Sequence, residues 1–213
     1  MSSGDMKRSG RPADEAKRAA IVAAASRAFF EHGYAASSIE QIAADAGVSK
    51  VTIYNRFGDK RSLLSAAVEL ECEKMRDNFV VPAMPKGSLR ERLTAIGESM
   101  SAFLSRPEMV QFERRIAAET EHDPAVGEAF LEAGPHRMKQ AFAAFLKAMD
   151  AAGEIRVTDT ELAAEQFVSM CKGMGDLERR FGAPHDPARD RDRVLGAVDV
   201  FCRAYAVDGC DRN

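Results

Sequence analysis

Apolar side chains recur at intervals of three and four residues along most of the 213-residue chain. That spacing is the period of a helix with one buried face. No segment alternates apolar and polar residues for the length of a strand between two hairpin turns. Glycines and prolines interrupt the helical pattern at several points. The pattern therefore predicts an all-α fold of nine or ten helices.

Two short helices around a tight turn are predicted between residues 38 and 57. Ser38 precedes an apolar stripe and is followed three positions later by Gln41, a pair that predicts a reciprocal N-terminal cap. Gly47 ends this first helix, because glycine adopts the left-handed turn at no steric cost. Ser49 then caps the second helix, so the segment has the form of a helix-turn-helix.

One face of the second helix is predicted to point away from the protein, because Ile53 and Phe57 define the buried side at about 100° of rotation per residue. Asparagine can bind adenine through two hydrogen bonds, valine and threonine methyls suit the thymine methyl, and tyrosine, threonine and lysine bind phosphates. The face is therefore predicted to contact DNA, although a similar pattern also occurs in helical proteins that never touch DNA. Its residues are Val51, Thr52, Tyr54 and Asn55, headed by Lys50 and closed by Arg56.

A third helix is predicted to begin at Lys60, after its cap Asp59. A phosphate at that helix end would meet both the helix dipole and a fixed cation. Taken singly, Thr52 and Asn55 are as consistent with solvated side chains as with base contacts, whereas Tyr54 and Lys60 are stronger candidates. The predicted DNA-binding residues are Ser38, Ser49, Lys50, Val51, Thr52, Tyr54, Asn55, Arg56 and Lys60.

The segment from Ile21 to Leu64 resembles the DNA-binding domain of TetR/AcrR-family transcriptional regulators, over about a fifth of the chain. Two positions depart from the family pattern. Val51 stands where the family often has glycine, and a Ser37-Ser38 pair that keeps the capping hydroxyl replaces the usual threonines. The matching positions are Ala24, Phe29, Gly33, Ile42, Ala43, Ala46, Gly47, Val48, Ser49, Tyr54, Phe57, Lys60 and Leu63.

The resemblance implies roles for these residues and for the rest of the chain. Residues 50–54 would form the base-reading segment, and Tyr54 and Lys60 would hold phosphates. The protein would work as a homodimer through its last two long helices and would bind a small molecule in its second domain. Apolar faces of those helices can pair in a two-fold four-helix arrangement, or they can be buried within one chain.

The charge of the chain is divided unevenly. The net charge is −3, but residues 1–61 hold ten Lys and Arg against seven Asp and Glu, and the remainder holds twenty against twenty-six. Positive charge therefore accompanies the helix-turn-helix, as DNA binding requires. The predicted domains are 1–61, with residues 1–12 as a flexible arm, and 62–213.

The four cysteines show no CxxC pair and no histidine at metal-ligand spacing, so neither a metal site nor a cofactor is expected. Cys72, Cys171 and Cys202 lie on apolar helix faces and are expected to be reduced, while Cys210 lies in a polar tail as an exposed thiol. No apolar run approaches the ~20 residues needed to cross a bilayer, and the N-terminus lacks the apolar stretch of a secretion signal. We therefore expect a cytoplasmic protein.

Further helices are predicted by cap and proline signals. The helix from Lys60 is expected to continue through Phe79 to a break at Pro82, and the glycines at 173 and 175 allow a kink or a close approach in a later helix. The remaining predicted helix starts are Ser88 with Glu91, Asp123-Pro124, Pro135, Thr158 with Glu161, and Asp186-Pro187.

Phenylalanine and methionine side chains of the second domain are candidates for an adaptable apolar effector pocket. At helical spacing such residues are also typical of an ordinary core. The predicted pocket residues are Phe79, Met100, Phe103, Phe112, Phe142, Phe145, Met170 and Met174.

The sequence therefore favours a ligand-responsive transcription factor, a repressor that binds a palindromic operator as a homodimer and is released by a small apolar or amphipathic effector. The chain lacks a nucleophile elbow, a phosphate-binding glycine loop, an HExxH motif and a paired-carboxylate motif, so enzymatic activity is not expected. The alternatives are a DNA-binding regulator without an effector, and a helical enzyme or binding protein.

Overall fold

The computed structural model describes residues 10–77 and 87–207 of the chain, with side chains at 14–74 and 87–207. Over this part the fold consists of ten α-helices and one isolated antiparallel bridge between Ile155 and Ala206, which confirms the all-α prediction. The helices are α1 Gly10–His32, α2 Ile39–Asp45, α3 Lys50–Phe57, α4 Lys60–Asp77, α5 Leu89–Leu104, α6 Pro107–Thr120, α7 Pro124–Ala133, α8 Pro135–Ala151, α9 Thr160–Arg180 and α10 Pro187–Tyr205.

Side-chain caps fix most of the helix starts at or next to the predicted positions. Ser88 and Glu91 form the reciprocal box at the start of α5, and Asp123 and Asp186 cap α7 and α10 with proline in the first turn. The predicted cap of α9 was wrong by one residue. Asp159, rather than Thr158, accepts the hydrogen bond from the Leu162 amide, because a carboxylate reaches that donor from the position next to the helix.

The buried side chains form two clusters. The first is formed by α1, α2, α3, α4, α6 and α7, and it contains Ile21 and Phe29 of α1, Ile42 of α2 and Ile53 of α3. The second joins α5 to α8, α9 and α10 around Phe167 and Phe201. The helix-turn-helix therefore packs on the same core as α6 and α7.

Predictions about two cysteines and about Gly173 concern α9 and α10. Cys171 is a reduced thiol whose pKa burial raises to about 12, as expected of a buried cysteine. The prediction that Cys202 is reduced was wrong, because Cys202 is disulfide-bonded. Gly173 breaks the helical backbone inside α9, as the sequence allowed. Phe79, Pro82 and Cys210 lie outside the described residues.

Candidate DNA interface

The outward face of α3, which we define as Val51, Thr52, Tyr54 and Asn55, lies largely open to solvent. Val51 is 64% exposed and Tyr54 42% exposed, and Asn55 is also exposed while Thr52 is half-buried. Ile53, on the opposite side, is fully buried in the first core. The predicted rotation of α3 is therefore the one observed.

Hydroxyl groups fix the ends of the two short helices. Ser38 accepts from the backbone amide of Gln41 at 3.0 Å, and Ser49 accepts from the amide of Thr52 at 3.2 Å. The second half of the predicted cap at Ser38 was wrong. The Gln41 amide group donates to Asp45 at 2.8 Å instead of returning to the Ser38 backbone, because Asp45 lies one turn further along the same helix face.

Gly47 makes the turn between α2 and α3. Its φ of 65° lies in the left-handed region that favours glycine. Val48 follows it, with its amide bonded to the Ala43 carbonyl at 3.0 Å. The tight connection orients α3 with its uncharged outward face exposed.

The two cations of α3 are each paired with a carboxylate of another helix. Lys50 donates to Glu40 in the first turn of α2, and its ammonium also lies 5.8 Å from the centre of the Tyr54 ring. Arg56 donates to the Asp14 carboxylate in α1. Of the predicted DNA-binding residues, these two are therefore engaged within the protein.

Lys60, at the first position of α4, packs against the turn that joins α1 to α2. Its ammonium donates to the Ala35 carbonyl at 3.3 Å and lies 4.5 Å from the centre of the Tyr34 ring. Partial burial lowers the pKa of Lys60. The side chain lies beside the helix end at which a phosphate was predicted.

Helix α6 holds the same turn from the other side. Arg115 donates to the carbonyls of Phe30 and Glu31 at 2.9 and 2.7 Å, which are among the last carbonyls of α1 without a helical partner. Glu119 accepts from the Ala35 amide at 3.0 Å through each oxygen. Gly33 has a φ of 89°, and a Cβ there would lie 3.2 Å from the Arg115 side chain. Both the backbone conformation and the space at this turn therefore favour glycine over any larger residue.

The interface includes residues that sequence reasoning missed. Glu40 and Lys50 stand ten positions apart with opposite charge, across a turn that the sequence already predicted, so their pairing had a visible signal. Arg115 and Glu119 had none, because their partners lie more than eighty positions away in the chain.

The structure describes seven of the eight predicted pocket residues and does not bring these seven together. Phe112 is fully buried in the first core, stacked on Phe30 with ring centres 4.0 Å apart, and Phe103 packs against that core. Phe142, Phe145, Met100 and Met170 pack against the second core. Met174 is 61% exposed, and Phe79 lies outside the described residues.

A cavity of about 290 Å³ lies elsewhere, between α4 and the helices α7 and α8. Glu69 and Arg137 form an ion pair of 2.5 Å at its wall. None of the seven predicted pocket residues that the structure describes lines it. Its lining residues are Glu69, Cys72, Glu73, Ala133, Arg137, Met138, Gln140 and Ala141.

An all-α fold that presents a capped helix-turn-helix with an open outward face is that of a DNA-binding regulator. Two family models match the chain in agreement with this class. The model of the tetR family of bacterial regulatory proteins matches residues 21–67, and that of the C-terminal domain of AefR-like transcriptional repressors matches residues 91–207.

Relatives of known sequence support the same assignment. The chain is 35% identical over 80 residues to BetI, an HTH-type transcriptional regulator of Rhizobium meliloti (strain 1021), and this match spans 38% of the chain and 39% of BetI. It is 27% identical over 176 residues to YezE, an HTH-type transcriptional regulator of Bacillus subtilis (strain 168), spanning 81% of the chain and 87% of YezE.

Solved structures extend the similarity over nearly the whole chain. A TetR-family transcriptional regulator from Mesorhizobium loti MAFF303099 has a TM-score of 0.73 at 27% identity, with 95% of this chain and 100% of that one covered. The flavonoid-responsive regulator FrrA has a TM-score of 0.71 at 29% identity, with 91% and 98% covered. The chain belongs to the TetR family and is a DNA-binding transcriptional regulator.

Regulators of this family bind DNA operators and act as dimers. The family consists of transcriptional regulators rather than enzymes. In the described part of the chain, no helix has the length and apolar character needed to span a membrane.

Proposed function

We propose that the protein is a cytoplasmic, ligand-responsive repressor that binds a roughly palindromic operator as a homodimer. Each subunit inserts α3 into the major groove, and the two α3 helices contact half-sites about 34–36 Å apart. A small apolar or amphipathic effector then releases the operator. The protein carries out no reaction of its own.

The observation that carries the DNA-binding proposal is the outward face of α3. Val51 and Tyr54 are exposed on a helix whose opposite side carries the buried Ile53, and they leave an apolar and hydrogen-bonding surface facing outward. Base edges and thymine methyls complement such a surface. The hydroxyls of Ser38 and Ser49, at the N-terminal ends of α2 and α3, lie where phosphates bind helix ends.

The dimer proposal rests on apolar side chains of α9 and α10 that find no cover in the subunit. We define this apolar face as Met174, Leu177, Phe181, Leu195 and Val200, which are between 43% and 85% exposed. Two copies can cover the face by pairing α9 and α10 about a two-fold axis. The break at Gly173 lies one residue before this face begins.

The effector proposal rests on the position of α4. This helix begins beside the helix-turn-helix and forms one wall of the 290 Å³ cavity, so a ligand there can move the helix-turn-helix directly. The proposed domains, 1–61 and 62–213, meet at the start of α4 and share the first core. FrrA, a structural neighbour, is named for its response to flavonoids, which supports a small-molecule effector here.

Protection of the DNA upstream of the protein's own gene tests the DNA-binding proposal. A symmetric footprint is expected for the wild type, and Lys60→Ala should weaken it because the helix-end cation is lost. Lys147→Ala removes an exposed lysine on α8, far along the chain from the helix-turn-helix, and should leave the footprint unchanged. A wild type that protects no upstream sequence, and binds no duplex at low ionic strength, would refute the proposal.

A regulator without an effector is the second candidate, since most of the predicted pocket residues that the structure describes pack against two separate cores. Thermal unfolding in the presence of a panel of flavonoids and amphipathic amines separates the two. A rise in melting temperature with one compound, together with loss of the footprint, supports ligand control. If no compound changes either quantity, the regulator without an effector is favoured.

A further inference from the structure

Both cations of α3 form ion pairs with carboxylates of other helices in the same subunit. The Lys50 ammonium donates to the Glu40 carboxylate of α2. Arg56 donates to the Asp14 carboxylate of α1 through one guanidinium nitrogen and to the Asp14 backbone carbonyl, at 3.3 Å, through the other. Helix α3 is expected to bind DNA, yet the residues of its outward face are uncharged and both of its cations are bound to carboxylates.

A carboxylate competes with a phosphate for the same donor, because both offer anionic oxygens to ammonium and guanidinium groups. Glu40 and Asp14 are exposed, so a DNA phosphate can reach the same donors but has to displace the carboxylate in order to bind them. The hydrogen bond from Lys50 lowers the pKa of Glu40, and the hydrogen bond from Arg56 lowers the pKa of Asp14. Both carboxylates are therefore ionised and available as partners at neutral pH.

The competition acts unequally on the two modes of DNA binding. Binding to non-specific DNA depends almost entirely on contacts between cations and phosphates. Binding to an operator adds contacts to base edges, which on α3 come from uncharged side chains. A cation that is held by a carboxylate therefore removes a larger share of the free energy of non-specific binding than of operator binding.

We propose that Glu40 and Asp14 are specificity-determining residues of this regulator. Their carboxylates occupy Lys50 and Arg56 in place of DNA phosphates, so non-specific DNA gains little from the cations of α3. Discrimination between DNA sequences then depends on the uncharged side chains of the outward face of α3. The inference rests on the proposed DNA-binding function and adds to it a mechanism for rejecting the wrong sequences.

The salt dependence of non-specific binding tests the proposal. The slope of log affinity against log salt is about −0.9 for each phosphate contact. Glu40→Gln should free Lys50 and steepen the slope on a scrambled duplex by roughly 0.9 for each subunit in contact. Non-specific affinity at ~0.1 M salt should rise several-fold, and the ratio of operator affinity to non-specific affinity should fall. An equal rise on both duplexes would refute a role in specificity.

Asp45→Asn is the matched control for charge. Asp45 lies on the same helix as Glu40, and its carboxylate accepts a hydrogen bond from the uncharged Gln41 amide. Both substitutions remove one negative charge from α2. If Asp45→Asn steepens the slope as much as Glu40→Gln does, general repulsion explains the effect and the proposal is refuted.

A double-mutant cycle shows whether Glu40 acts through Lys50. In a Lys50→Met background, Glu40→Gln should leave the salt slope unchanged, since no ammonium remains to be freed. A slope that still steepens in this background overturns the mechanism. Asp14→Asn provides a second, independent arm through Arg56, and urea unfolding of each variant verifies that the fold is intact.

Failure of the inference is distinguishable from failure of the proposed function. If the wild type binds no duplex at low ionic strength, both are refuted. If the wild type protects an operator, and Glu40→Gln and Asp14→Asn leave its non-specific affinity and salt slope unchanged, only the role of the carboxylates is refuted.

Discussion

Asn55 and Tyr54 are neighbours on α3, and they are expected to fail in different ways when each is replaced by alanine. Asn55→Ala should relax discrimination at one base pair by about 1–3 kcal/mol, because an asparagine that donates and accepts at adenine is lost. Tyr54→Ala should weaken binding to all sequences alike, because a phosphate contact carries no sequence information. Competition binding with operators substituted at each position measures both effects.

A uniform loss across all operator variants after Asn55→Ala would contradict a base contact at this residue. Tyr54→Phe serves as the control for Tyr54→Ala, because it removes the hydroxyl and keeps the ring.

Residues whose role is local were predictable from the sequence. Ser49 caps α3, and Ile53 is buried, for reasons that lie within four positions of each. Gln41 was predicted wrongly because its side-chain amide has two partners within reach, the Ser38 backbone N–H as a donor and the Asp45 carboxylate as an acceptor, and the spacing of residues does not decide between them. Glu40 was missed because its role depends on where the turn at Gly47 carries Lys50.

Helix α6 contacts the C-terminal end of α1 through Arg115, so removal of this side chain should lower the stability of the fold. Arg115→Met keeps much of the apolar stem and removes the guanidinium that satisfies two carbonyls of α1. We expect the free energy of unfolding to fall by about 1–3 kcal/mol, the range for hydrogen bonds to charged groups. Urea unfolding curves measure the change.

Gln111→Met is the matched control, since residue 111 lies exposed on the same helix and the substitution introduces the same side chain. Equal stability of Arg115→Met and the wild type would show that solvent satisfies the two carbonyls equally well.

The other side of α6 contains a carboxylate that is buried near α9. Glu113 faces Arg180 at 3.2 Å, with Lys172 and Asp176 close by, and desolvation raises its pKa. A raised pKa means that the folded state binds the proton more tightly than the unfolded state. The stability that results is present at low pH and is lost as the pH rises through the folded-state pKa.

Glu113→Gln cannot titrate and should escape this loss. The free energy of unfolding of Glu113→Gln minus that of the wild type should therefore be larger at pH 8 than at pH 5. Urea unfolding at the two pH values measures this difference. Glu121→Gln, at an exposed position just beyond α6, is the control for removing a carboxylate that is not buried. A difference between Glu113→Gln and the wild type that is the same at both pH values would contradict the raised pKa.

The arrangement of whole elements was harder to predict than the elements themselves. The apolar spacing of Val110, Phe112 and Ile116 after Pro107 predicts a helix, and α6 is observed there with Phe112 and Ile116 on its buried side. The spacing does not say which neighbour covers that side. Phe112 packs on Phe30 of α1 and not with Phe142 of α8, because chain topology, which no local pattern encodes, brings α6 to the helix-turn-helix.

At the scale of the whole molecule, the dimer prediction depends on the exposed apolar face of α9 and α10. Phe181, at the C-terminal end of α9, is 85% exposed in the subunit, so its removal leaves the internal packing intact. In a two-fold interface each substitution acts twice. Burial of a phenylalanine contributes about 1.5–3 kcal/mol, and a glutamate at the interface adds the cost of burying a charge.

Phe181→Glu should therefore raise the dimer dissociation constant by at least two orders of magnitude, as about 3–6 kcal/mol for the two copies implies. Operator affinity should fall with it, because a monomer engages a single half-site. Light scattering across a dilution series measures the first effect, and titration of a full operator and of an isolated half-site measures the second.

Leu131→Glu supplies the comparison, since Leu131 is 43% exposed on α7, away from the proposed interface. It should leave the dimer and its operator affinity as they are. If Phe181→Glu dissociates the dimer while half-site affinity is kept, the two α3 helices contribute to operator binding through their fixed separation. If Phe181→Glu remains a dimer of unchanged strength, the subunits pair through some other surface, and the apolar face of α9 and α10 is not the interface.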